Sequence, residues 1–193
     1  LVAAGVMVLC FIANLFGIRT AARFQAIMVL GLMSALVLYI VLGLANVKDY
    51  SPYLATATIF PNGFGGFFAA AFLLRLSLIG SEFISEFGDE MENPGKMIPL
   101  VMGLSLLVVS LLYILIAVVA TGVLPLAEIE GKNLAATAKV IFSPGVYVAF
   151  IVGGVMISLV TSLNAIFAWC TRGLYMATED GWLPAKLAVV NRF

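Results

Sequence analysis

No histidine occurs in the 193 residues, cysteine occurs twice, and only 10% of the residues are charged, against about 25% in an ordinary soluble domain. Without histidine, the common zinc sites and Ser-His nucleophilic chemistry have no ligands or base. Cys10 and Cys170 stand alone in apolar runs, far from any CxxC spacing, so they read as small packing residues rather than a metal or disulfide framework. Ten Lys and Arg balance ten Asp and Glu, which leaves no basic field for nucleic acid. An intramembrane aspartyl enzyme needs two aspartates at membrane depth, whereas Asp49, Asp89 and Asp180 all fall in loop segments. The chain reads as a non-enzyme that needs neither a cofactor nor a metal.

What is abundant is apolar length: 63% of the residues are hydrophobic. Uncharged windows run over 1–18, 24–47, 50–74, 97–127 and 140–171, and most exceed the roughly 20 residues that cross a bilayer. These continuous runs lack the alternating pattern of barrel strands, so the spans are helices and the fold is all-α, a polytopic helical membrane protein in a lipid bilayer. The expected spans are 1–16, 24–47, 64–91, 98–124 and 145–170, in a single transmembrane region over 1–193. Pro52, Pro61, the glycines at 63, 65 and 66, Asn93-Pro94, Pro125 and Pro144-Gly145 punctuate them. Arg19, Arg23, Lys96, Arg172, Lys186 and Arg192 fall on one side, and Lys48, Lys132 and Lys139 on the other. The positive-inside rule then makes the loops after the first, third and fifth spans cytoplasmic. Residues 172–191 read as a cytoplasmic interfacial segment, with Tyr175 and Trp182 at headgroup level. Leu1 lies within an apolar run, as in an excised fragment.

The third span is not a plain lipid-facing helix. It carries Arg75, Glu82 and Glu86, and an ionised group at the bilayer centre costs about 2.5–3.5 kcal/mol on insertion scales, so such groups face a cavity or a partner. On a continuous helix, positions 75, 82, 86 and 93 fall within about 20° of one direction and form a polar stripe. Gly80-Ser81 interrupts that helix. A break there exposes half-helix ends and free carbonyls near the midplane, able to meet a cation or an ammonium group. The competing expectation is that Gly80 only permits close helix packing and that Glu82 and Glu86 reach the cytoplasmic interface. In the last span, Gly153-Gly154 reads as a close-packing site, and Ser158, Thr161 and Ser162 share one helical face.

Gly80-x-Glu82, Asp89-Glu90, Asn93-Pro94, Lys96 and Ile98-Pro99 closely resemble the signature GxE…EE…NPxxxIP of the amino acid, polyamine and organocation permease family, at its sixth helix and the loop after it. Arg172-Gly-Leu-Tyr175 and Glu179-Asp180-Gly181-Trp-Leu-Pro184 resemble the R-x-L-Y…DGxLP signature that follows that family's eighth helix. Asn14-x-x-Gly17 with Gln25 resembles, more weakly, the entrance to its fifth. The resemblance covers essentially the whole chain, from the end of the family's helix four through helix eight.

That resemblance implies a fold of two inverted five-helix repeats with a discontinuous sixth helix, in a secondary active transporter of amino acids or related amines working by alternating access at the plasma membrane. It implies that Leu78, Ile79, Gly80 and Ser81 form the unwound substrate stretch and that Glu82 follows it as a proton-coupling group, since a carboxyl partly removed from water holds its proton more readily. Leu78 and Leu76 stand where family members often carry aromatics, which argues against aromatic gating of a cationic substrate. Arg75 lies outside the family pattern; it pairs with Glu82, repels cationic cargo, or touches the substrate. Thr161-Ser162 resembles the hydroxyl pair that ligates sodium in related symporters, so transport is coupled to a proton or to sodium, or runs by exchange. A channel or a non-transporting membrane scaffold is the alternative function.

Overall fold

The computed structural model describes residues 2–16, 18–47, 50, 60, 62–184 and 186, without the side chains of Val2, Ile18, Arg19 and Glu90. Leu1, Gly17, Lys48, Asp49, Pro52, Pro61, Arg192 and most of the stretch from 185 to 191 lie outside these residues. The described residues are helical without a strand. Helix α1 spans Val2–Leu15, α2 Ile18–Ala45 and α3 Gly63–Leu76. A 3-10 helix follows over Ser81–Glu90, then α4 over Pro94–Val123, and two short helices, α5 (Leu126–Ile129) and α6 (Leu134–Ile141). The last helix, α7, runs over Pro144–Glu179. Residues Ile151–Met156 of it are wound as a π-helix.

Four stretches are long and apolar enough to cross a membrane: Thr20–Ala45, Gly63–Asp89, Pro94–Val123 and Pro144–Glu179. Helix α1 contributes a shorter apolar helix over Ala3–Leu15. Helices also run past the apolar windows, because charge ends a hydropathy window without ending a helix. Thus α2 takes in Arg23, and α7 takes in Arg172 and Tyr175 without a break after Cys170. The stop comes at Gly181, which at φ +77° supplies the left-handed residue of a Schellman ending. There the Trp182 and Gly181 amides donate to the carbonyls of Ala177 and Thr178 at 2.9 and 3.2 Å. Residues 172–179 are therefore the end of α7 itself, and Trp182 just beyond is 84% exposed.

One cluster organises the bundle. Tyr39 on α2 is fully buried against Val119 and Val123 of α4, Ala138 of α6, and Phe142 and Phe150. Its ring stacks on Phe150 at 5.7 Å between centroids. Burying a phenol in an apolar site strands its hydroxyl unless a partner is supplied, and Thr137 on α6 supplies one at 2.7 Å. Gly43 lets α2 and α4 approach closely: a Cβ there would sit 2.2 Å from Val119 Cγ1. At the π-helical turn, a Cβ on buried Gly154 would sit 3.3 Å from the Ala35 Cβ, so Gly154 serves close packing of α2 on α7. A Cβ on Gly153 would meet nothing within 4 Å, and the pair expected to pack closely does so at Gly154 alone.

Candidate functional site

The polar third span breaks where glycine stands. Helix α3 ends at Leu76, and the Ser77 and Leu78 amides reach back only three residues, to Leu74 and Arg75, at 3.0 Å each. Gly80 then takes φ +127°, a conformation that L side chains rarely adopt. A Cβ added at Gly80 would meet nothing within 4 Å, so the glycine is there for its backbone and not for close packing. Chain resumes as a 3-10 helix from Ser81. The continuous stripe through 75, 82, 86 and 93 is consequently interrupted, since a turn and a tighter helix separate Arg75 from the acids.

A helix end leaves carbonyls without intrahelical donors. The Ser77 carbonyl is met by the Tyr113 hydroxyl of α4 at 3.1 Å, and the Gly80 carbonyl by the Phe83 amide at 3.2 Å. Among the described residues no backbone amide donates to the carbonyls of Leu78 or Ile79 outside the helices. Glu82 turns back over the break: its Oε2 accepts the Gly80 amide at 3.0 Å and the Ser81 hydroxyl at 3.5 Å. Ser85 Oγ in turn donates to the Glu82 carbonyl at 2.7 Å. Arg75 is exposed in the last turn of α3, where a cation meets the negative end of the helix dipole. The sequence-expected residues 78–82 thus lie together at one interruption with Arg75 one turn above, while Tyr113 was not foreseen. A tyrosine in an apolar helix gives no sequence signal of the carbonyl it will cap.

Farther along, the 3-10 segment lies on α7. The Phe83 and Trp169 rings stack at 4.1 Å between centroids and 5° between planes. The Arg172 guanidinium sits 4.2 Å above the Phe87 ring and donates to the Ala168 carbonyl of its own helix. A Cβ on Gly173 would lie 4.0 Å from a Glu86 carboxylate oxygen.

Among the described residues, no hydrogen bond brings the hydroxyls of α7 to the break. Thr161, 8% exposed, donates to the Ile157 carbonyl at 2.6 Å, and exposed Ser162 donates to the Ser158 carbonyl at 2.9 Å. Each spends its hydrogen on its own helix, the common use of Ser and Thr within membranes, and keeps oxygen lone pairs. Three residues on, sequence reading overlooked Asn164, which is 1% exposed. Its Oδ1 accepts from Asn14 Nδ2 at 3.0 Å, and its Nδ2 donates to Gln25 Oε1 at 2.8 Å. This carboxamide chain ties α1 and α2 to α7. Among the described residues, no buried side-chain polar atom lacks a partner. The one available signal was an asparagine deep in an apolar run.

The amino acid permease family model matches residues 1–193. The chain belongs to that family. Among its relatives, the branched-chain amino acid permease BcaP of Bacillus subtilis is 29% identical over 178 residues, which cover 91% of this chain and 37% of the relative. The methylthioribose transporter of the same bacterium is 26% identical, with 91% and 37% covered. The vacuolar cationic amino acid transporter 4 of Arabidopsis thaliana is 29% identical, with 91% and 30% covered. The permease chain therefore spans about a third of the length of these relatives. No solved structure matches it significantly. Family membership and the apolar helices together make it part of an all-α, multi-pass membrane protein.

Proposed function

We propose that this permease chain is the central part of a secondary active transporter of amino acids or related amines that works by alternating access in the plasma membrane. Cargo binds at the interruption formed by Leu78, Ile79, Gly80 and Ser81, with Glu82 and Arg75 beside it. The observation that carries this reading is the break itself: a glycine at φ +127° inside a stretch otherwise apolar enough to cross the membrane. Backbone at membrane depth leaves the helix only where protein or an aqueous cavity replaces the lost hydrogen bonds, and the free Leu78 and Ile79 carbonyls are suited to an ammonium group. Arg75 is suited to a carboxylate, so the two ends of a zwitterion find opposite partners along the turn. The names of the relatives, which include a branched-chain amino acid permease and cationic amino acid transporters, support an amino acid as cargo.

Coupling falls to Glu82, whose carboxylate bonds the Gly80 amide and so senses both the conformation of the break and the proton. Sodium bound through Thr161 and Ser162 is the alternative. The test is uptake of labelled amino acids into proteoliposomes containing the full-length protein. Accumulation against a gradient supports the transporter, whereas passive flux points to a channel and no flux to a scaffold. Competition between leucine and lysine reads the cargo class, and imposing a proton or a sodium gradient in turn reads the coupling ion.

A further inference from the structure

The segment after the break is held on α7 by two contacts that run in the same chain order, Phe83 on Trp169 and Phe87 under Arg172. Residues 169 and 172 are three apart and so share a face of α7. Both contacts lie on the same side of the break, away from α3. Above them, the Tyr113 hydroxyl ties the Ser77 carbonyl to α4. The second half also lies along α4, where a Cβ on Gly88 would sit 3.8 Å from Ile98 Cδ1, so α4 supports both halves and α7 adds its clasp on the second, with Gly80 between them. We propose that Phe83, Phe87, Trp169 and Arg172 form a latch that holds the 81–90 segment closed on α7 and must part in each transport cycle, Trp169 and Arg172 acting as positioning residues. The proposal rests on the cargo reading of the break and adds to it where the moving part is clasped.

The contacts suit a latch better than permanent packing. The 81–90 segment is 3-10, a winding with poorer hydrogen bonds that seldom persists beyond a few residues, and here it extends over ten. Its contacts with α7 include stacked rings and a cation over a ring, interactions that depend on ring geometry and on the distance from charge to ring. A modest swing about Gly80 would break both together, while the Tyr113 bond keeps the upper half in place.

The latch is tested in the full-length protein by pairing Glu86→Cys with Gly173→Cys, in a background whose only reactive cysteines are that pair, and bridging them with a short thiol-reactive cross-linker. The bridge should stop uptake at least tenfold, leave equilibrium binding of labelled amino acid in place, and release on reduction when a cleavable linker is used. Bridged protein that transports at its unbridged rate would overturn the latch. Trp169→Leu should alter the half-saturating amino acid concentration and the maximal rate unequally, raising access of an impermeant maleimide to a cysteine placed at Ser85 roughly three- to tenfold, with Trp169→Phe restoring the stack and both readouts. Unchanged access in Trp169→Leu would count equally against it. Failure of the cargo reading looks different: amino acid binding would be insensitive to substitution at Gly80 and Glu82 whatever the cross-link does.

Discussion

Gly80 has open space around it and a backbone conformation that other residues rarely take, so replacing it tests conformation without adding a clash. Gly80→Ala should cost about 1–3 kcal/mol, read as a lower unfolding midpoint. It should weaken amino acid binding by roughly tenfold, because the carbonyls of Leu78 and Ile79 would no longer be held at the turn. Glu82→Gln keeps the shape and the acceptor oxygen facing the Gly80 amide but removes the titrating group. Uptake driven by a proton gradient should lose its pH dependence in this variant; a pH profile identical to that of the parent would reject Glu82 as the coupling group. Asn164 is the corresponding test of architecture. Asn164→Leu takes the partner from Gln25 Oε1 and leaves Asn14 Nδ2 only the Cys10 carbonyl, and should destabilise the protein by about 1–2 kcal/mol, measured as a shift in thermal unfolding in detergent.

Among the elements, helices α2, α4 and α7 were legible because uncharged length is a strong signal and lipid permits few alternatives to a helix. Their ends were less so. Hydropathy stops at Arg23 and Cys170, whereas hydrogen bonding continues until a glycine such as Gly181 reverses the backbone. The interruption of the third span was legible at Gly80-Ser81, since glycine beside acids in an otherwise apolar run marks a departure from the helix. That the continuation is 3-10, and that Phe83 and Phe87 face Trp169 and Arg172, was not legible. Both depend on partners more than 80 positions away, and one apolar aromatic reads like another. Gly43 was hidden for the same reason, because its meaning lies in Val119 on α4. Gly43→Ala should push the two helices apart at a cost of about 1–3 kcal/mol, seen as reduced thermal stability. Val119→Ala in the same chain should recover much of the loss, an outcome that a purely local effect at Gly43 would not produce.

At the scale of the molecule, one apolar cluster and one chain of carboxamides hold most of the described helices together. Tyr39, Val119, Phe142 and Phe150 fix α2, α4, α6 and α7 about one apolar cluster, and the carboxamides of Asn14, Gln25 and Asn164 fasten α1 to the same frame. Helix α3 contributes no buried residue to that core. The account stands or falls on whether cargo occupies the interruption. With Ile79→Cys as the sole reactive thiol in the full-length protein, a small thiol reagent should modify that site, and saturating transported amino acid should slow the modification at least fivefold while an amino acid that is not transported leaves it unchanged. Equal modification rates with and without the transported amino acid, in protein that still takes it up, would contradict the account.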